Sequence, residues 1–185
     1  MKKSIILLAA ALLLTLSANA QFQQGKGYVG ASLTGLNANY SGAGKFNFGA
    51  QATGGYLFLD NLMATASAGF DHFRRGDSKV DRVTGGAGVR YYIIQNGLYL
   101  GVNGKIIYEK QQVKEYDPET GNAHWVKADK TYTDVLPGIE VGYAFFVNRS
   151  VTVEPAIYYD QSFKNHSDYS TIGLKVGVGV YLFDD

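Results

Sequence analysis

The chain has 185 residues and no cysteine, which excludes a disulfide framework, a thiolate nucleophile and a zinc-thiolate site together. Leaving aside Lys2 and Lys3, 15 basic residues (17 minus 2) face 16 acidic ones, a net charge of −1, and the scattered basic residues give no footprint for nucleic acid. With 14 Tyr, 10 Phe and 23 Gly but only 3 Pro, the composition is rich in strand formers and poor in ladder breakers.

The first twenty residues read as a secretory leader. Lys2 and Lys3 precede an apolar run from Ile5 to Leu14, and Ala18-Asn19-Ala20 has the small-residue pattern of a cleavage site. The run is shorter than the ~20 residues a spanning helix needs. Cleavage after Ala20 would leave one domain, residues 21–185. No later segment is apolar for long enough to span as a helix.

From Tyr28 onward the chain alternates apolar and polar residues, the period of a strand with two different faces. Eight strands are expected: Tyr28 to Leu36, Phe46 to Phe58, Leu62 to Arg74, Val80 to Ile93, Leu98 to Tyr116, Ala123 to Phe146, Ser150 to Phe163 and Tyr169 to Phe183. Tight connections at Leu59-Asp60-Asn61, Gln95-Asn96-Gly97 and Val147-Asn148-Arg149 use Asn and Gly, which suit positive φ. Longer or more polar links alternate with them: Asn37 to Lys45, Arg75 to Lys79, a tip at Asp117-Pro118-Glu119-Thr120-Gly121, and Lys164 to Asp168.

The sign of the alternation separates two kinds of barrel. In the last strand Ile172, Leu174, Val176, Val178, Val180 and Leu182 share one parity, while small and polar residues from Thr171 to Tyr181 share the other. Aromatics of the apolar parity fall at strand ends: Tyr56, Phe58, Tyr91, Tyr143 and Phe145 at one end, Phe46, Phe48, Phe70, Tyr108, Tyr159 and Phe163 at the other. Two aromatic girdles around an aliphatic belt suit a membrane, whereas a soluble barrel would put its apolar residues inside. The expected fold is all-β: an eight-stranded antiparallel up-and-down transmembrane β-barrel.

In these features the chain resembles the small eight-stranded outer-membrane barrels typified by OmpX and the membrane domain of OmpA. Lys175, Gly177, Val180 and Leu182 match the spacing of that family's C-terminal assembly signal, although Asp184 and Asp185 follow Phe183 where the family has a terminal aromatic. The resemblance implies a bacterial outer-membrane location, outer-membrane lipid and the barrel-assembly machinery as partners, and a monomer. With short turns facing the periplasm, both termini are periplasmic.

By parity the inward charges are Arg82, Arg90, Lys105 and Lys175 against Asp71, Glu109, Asp134, Glu140, Glu154 and Asp160. An eight-stranded lumen is only wide enough for side chains, so these should pair into a plug. A small ion channel is the alternative. A lipid A-modifying enzyme is another, and would need a histidine: His72 with Asp81, or His166 with Ser167 and Asp168, with His124 the third in the chain. No catalytic set, cofactor or metal site is expected. Arg75-Gly76-Asp77 spells an adhesion tripeptide but also suits a hairpin turn. The third external hairpin, Glu109 to Thr133, is too long for one crossing, so its excess should project as a ribbon. Its aromatics Tyr116, Trp125 and Tyr132 are the candidate contacts for an extracellular protein or other surface ligand, with Lys110, Lys114, Lys127 and Lys130 keeping the edges soluble.

Overall fold

The structure, a computed structural model, describes residues 21–39, 45–75, 78–93, 95–116 and 123–182. Its elements are β1 (Gly27–Asn39), β2 (Lys45–Leu59), β3 (Leu62–Arg75), β4 (Ser78–Tyr92), β5 (Leu98–Tyr116), β6 (Ala123–Tyr143), β7 (Phe145–Phe146), β8 (Val151–Asp160), α1 (His166–Tyr169) and β9 (Thr171–Leu182). Strands adjacent in sequence pair antiparallel from β1 to β6, β1 pairs β9, β9 pairs β8, and β8 returns to β6. The sheet therefore closes on itself. Closure leaves no unpaired backbone edge within the apolar belt, which lipid would not satisfy.

The short β7 is a continuation of β6. Their common partner β8 keeps one register across the gap, Gly142↔Ala156 and then Phe145↔Val153, so the nine strands make eight staves. The break at Tyr143 and Ala144 lies opposite Pro155 and Glu154 in that register, and proline has no N–H to give to the ladder.

Alternation sets the two faces. Val29, Leu33, Val83, Leu100, Val102, Ile106, Val135, Ile139, Ile157, Leu174, Val176 and Val178 all point away from the lumen and are exposed. The intervening residues line the interior. Phe70 and Tyr108 at one end and Tyr56 and Tyr91 at the other are also outward and exposed. A barrel with exposed aliphatics outside and charges inside is inverted relative to a soluble protein.

Glycines inside make room for large neighbours. A side chain at Gly142 would overlap the Tyr99 ring, one at Gly101 would overlap Glu140, and one at Gly30 or Gly179 would overlap Tyr28. Large and small residues on adjacent staves thus interdigitate across a narrow lumen.

Several connections differ from expectation. Asn61 (φ 64°) and Gly97 (φ 103°) adopt the left-handed conformation in their turns, but no residue of 147–150 does. There the Asn148 side chain accepts hydrogen bonds from the Ser150 and Val151 amides, so a side chain closes the turn. The link after β3 is shorter than expected: Arg75 pairs Ser78 directly, with residues 76 and 77 between them. Those two, the last two residues of the adhesion tripeptide, lie outside the described residues, as do the expected leader 1–20 and the tip 117–122. Finally, β8 ends at Asp160 and β9 begins at Thr171, so Tyr169 does not start a strand but ends α1.

Candidate functional site: the barrel lumen and the β5–β6 hairpin

Residues 21–26 fold back over the end of the barrel that carries the tight turns. The Gln21 amide donates to Gln95 Oε1 (3.0 Å), the Gln24 amide to Asp60 Oδ1 (2.8 Å) and the Gly25 amide to the Leu57 carbonyl (2.8 Å). In return Asn61 and Leu57 donate to the carbonyls of Phe22 (2.8 Å) and Lys26 (2.9 Å). Lys26 donates to the Gln21 carbonyl (3.3 Å), and partial burial holds its ammonium below the usual lysine range. These bonds drive the Phe22 ring into the lumen, where it is fully buried. It stacks on Tyr92 (3.8 Å between centroids) and meets Tyr181 edge-on (5.5 Å). Tyr92 and Tyr181 share a hydroxyl hydrogen bond of 2.7 Å, and Tyr28, Tyr99, Leu57 and Met63 complete the cluster.

Of these inward aromatics Tyr181 belongs to the inner row expected in the last strand, and Tyr92 is the one that expectation did not include. Tyr92 lies two residues after the inward Arg90, and Tyr181 two after Gly179, so parity marks both as interior. Phe22 precedes any alternation and carries no such mark.

Above the aromatics the charges meet. Arg90 donates from Nε to Glu140 (2.9 Å) and from Nη1 to Glu154 (3.0 Å), and its guanidinium lies over the rings of Tyr99 (4.6 Å) and Tyr28 (5.5 Å). Glu140 also accepts from Lys175, and Glu154 from the hydroxyls of Tyr28 (2.8 Å) and Thr152 (2.8 Å). Two cations thus face two carboxylates. Nearer the other end Lys105 binds Asp160 through both oxygens (2.7 Å each), and Arg82 binds Glu109 from its Nε (2.7 Å). Asp71 accepts from Thr34 (3.1 Å) and lines a cavity of about 50 Å³ together with Arg82, Lys105, Asp160 and Lys175. Further in, a second cavity of about 20 Å³ lies among Arg90, Asn103, Glu140 and Lys175. Such volumes hold a few waters at most.

The opposite mouth is covered by residues 161–170. Asp134 accepts from Ser162 Oγ (2.5 Å), from Tyr132 (3.0 Å) and from the Val135 amide (2.8 Å). Tyr169 is buried and stacks on Tyr132 at 4.0 Å, with the Arg82 guanidinium 5.9 Å from its ring. Tyr132, expected among the external contact residues, is therefore turned toward the lumen. It shares the parity of Asp134, which is the reason. The side chains of Tyr116 and Trp125 lie outside the described residues.

The histidines are placed apart. His72 meets Asp81 at 2.6 Å on the outer surface, both side chains well exposed. His166 Nδ1 lies 2.7 Å from Ser170 Oγ and 2.8 Å from Gln161 Nε2, while the side chains of Ser167 and Asp168 are outside the described residues. Asp134, at the same mouth, accepts from Ser162 Oγ. Among the described residues no group of three His, Asp or Glu could hold a metal ion.

Beyond the barrel the β5–β6 ladder continues past a register shift at Lys110/Gln112 as far as Tyr116↔Ala123. On its other side β6 loses β8 at Gly138↔Asp160. The β6 segment 123–133 is thus paired along one edge by β5 and lies beyond the end of β8 on the other. β4 accompanies β5 only as far as Ser78↔Val113, so β5 and β6 alone continue beyond the β3–β4 hairpin.

A barrel of this topology has close structural counterparts. Neisserial surface protein A superposes with a TM-score of 0.59 at 14% identity, over 85% of this chain and 97% of that one. The attachment invasion locus protein Ail of Yersinia pestis gives 0.58 at 11% identity, over 86% and 99%. OprG from Pseudomonas aeruginosa gives 0.51 at 11% identity, over 90% and 100%. The chain has the fold of the small eight-stranded outer-membrane barrels. No family model and no curated protein matches it. In Lys175, Gly177, Val180 and Leu182, the residues of the expected assembly signal, the strand alternates normally: Lys175 is buried inside against Glu140, and Leu182 is exposed outside.

Proposed function

We propose that this chain is a non-enzymatic, non-conducting protein of the bacterial outer membrane that presents the β5–β6 hairpin to an external partner. The observation that carries the reading is the unequal length of the two ladders on β6: pairing with β5 runs to Ala123, pairing with β8 stops at Gly138. The edge so exposed offers backbone donors and acceptors to an extended segment of another molecule, with the barrel as a rigid base. Likeness to Ail, an attachment and invasion protein, is consistent with surface contact.

The apolar belt and aromatic ends support residence in a membrane, and the fold supports the outer one. The short turns and residues 21–26 share one end, which we assign to the periplasm. A leader ending at Ala20 leaves Gln21 at the start of the mature chain, where its nitrogen reaches Gln95. The assembly signal serves the barrel-assembly machinery, and the barrel works as a monomer. The Phe22 cluster and the Tyr169 cap support a closed lumen, for which the charge pairs supply the filling.

Replacing residues 112–127 by Asn-Gly shortens the ladder to the height of the rim. Cells displaying this variant should attach to host-cell monolayers less than cells displaying the intact protein, with the barrel still heat-modifiable on gels. Equal attachment refutes the reading. Planar bilayers containing the intact protein should show no discrete conductance; steps of defined size would restore the channel.

A further inference from the structure

The nitrogen of Gln21 points at a neutral acceptor. It donates to Gln95 Oε1 at 3.0 Å, and the Phe22 amide donates to the same oxygen at 3.3 Å. The orientation of that carboxamide is set from its other side, where Gln95 Nε2 donates to Asn61 Oδ1 at 2.7 Å and so turns the oxygen toward residue 21. Asp60, the carboxylate of the adjoining turn, accepts from the Gln24 amide instead, at 2.8 Å. A cation is close by. The Lys26 ammonium donates to the Gln21 carbonyl at 3.3 Å, and partial burial already disfavours its charge. Among the described residues the Gln21 side-chain amide has no hydrogen-bond partner of its own.

This arrangement suits an amide N–H and not an amine. A leader ending at Ala20, the reading on which this inference rests, turns the nitrogen of residue 21 into a primary amine that is largely an ammonium at neutral pH. An ammonium brings three donors and a full charge. Here it would meet one acceptor, already shared with Phe22, and would stand beside the Lys26 ammonium, which repels it. The side chain of an N-terminal glutamine can remove both mismatches.

We propose that Gln21 of the mature chain is converted to pyroglutamate, and that its lactam N–H is the group Gln95 accepts. The neutral amine attacks its own side-chain carboxamide carbon Cδ. The N–Cδ bond forms, the Cδ–Nε2 bond breaks, and Nε2 leaves as ammonia with a proton from the amine. No oxidant, reductant or co-reactant enters. The product is neutral, carries a single N–H for the single acceptor, and keeps the carbonyl that Lys26 engages. Its ring also stops rotation about N–Cα, which lowers the entropy lost on ordering the first residue, where chains usually fray. The barrel gains because Phe22, next in the chain, fills the lumen end against Tyr92 and Tyr181. The modification is separate from the β6 edge and does not depend on what that edge binds.

The test begins with outer membranes of cells exporting the full chain, dissolved in SDS and treated at once with an amine-tagging reagent, so that a free α-amine is labelled and cannot cyclise during later handling. Mass spectrometry of the N-terminal peptide should show a chain that begins at residue 21, carries no tag on that residue, and is lighter by one ammonia than its glutamine form. A tagged amine on Gln21 overturns the proposal and leaves the leader site standing. A chain that begins at another residue overturns the leader site and the proposal with it. The place of the ring is read by hydrogen exchange at the Asn61 amide, which donates to the Phe22 carbonyl at 2.8 Å. Gln21→Ala, which keeps a free amine, should speed that exchange about fivefold, the worth of one hydrogen bond, and adding Lys26→Gln should recover most of the loss. Heat-modifiability on gels confirms that each variant is folded. Unchanged exchange in Gln21→Ala overturns the assignment of the Gln95 acceptor to the lactam.

Discussion

Replacing Arg90 by Met removes the cation that joins two carboxylates in the middle of the lumen. Arg90 makes charge-assisted bonds of 2.9 Å to Glu140 and 3.0 Å to Glu154, and all three side chains are at least nine-tenths buried. Each such bond contributes roughly 1.5 to 3 kcal/mol, so the two together set an upper range of about 3 to 6. Part is retained in the variant. Glu140 keeps Lys175, and Glu154 keeps the hydroxyls of Tyr28 and Thr152. The loss should therefore fall near 3 to 5 kcal/mol, the usual cost of leaving a buried charge without its partner. Methionine fills similar volume against the Tyr28 and Tyr99 rings, which keeps the cavity contribution small. The assay is reversible urea unfolding in lipid vesicles, run as a cycle with Glu154→Gln. The double variant should be more stable than the sum of the two single losses implies, by about 1 to 3 kcal/mol, since the second change removes the charge that the first one stranded. Additive losses would show that Arg90 and Glu154 do not interact and that the lumen pairing is solvent-screened.

Three further outcomes follow from the packing. Val178→Arg places a charge near the middle of the outward row of β9 and should cost about 2 to 4 kcal/mol in the same unfolding assay; an unchanged midpoint would deny that this face meets lipid. Gly142→Ala forces a methyl group into the Tyr99 ring and should cost about 1 to 3 kcal/mol, and much of the loss should disappear in the Tyr99→Leu background. Phe22→Ala empties the slot between Tyr92 and Tyr181, so the Asn61 and Leu57 amides that donate to the 22–26 segment should exchange with deuterium much faster; unchanged protection would mean that the backbone bonds alone hold it.

The barrel wall was legible because its rule is local. A strand puts alternate residues on opposite faces, so the row from Ile172 to Leu182 and the inward Glu140, Glu154 and Lys175 could be assigned without knowing any partner. The same rule placed Tyr132 inside, two residues before Asp134. Length hid this, because the overlong hairpin drew its aromatics together into one presumed outer surface. Non-periodic segments gave no such handle. Phe22 and Tyr169 lie where the chain stops alternating, and their burial depends on hydrogen bonds to residues distant in sequence, such as Asp60 for Gln24, or on a ring supplied by another stave.

The sequence alone determined which face of each strand meets lipid, which residues enter the lumen, and that one hairpin outruns its neighbours. Only the tertiary structure decided which charge meets which, because pairing across a closed barrel depends on the stagger between staves, a property of closure that no single strand carries. It also decided that the lumen is covered at both ends, since a six-residue segment and a loop can fold inward only once the staves have made a mouth for them to enter.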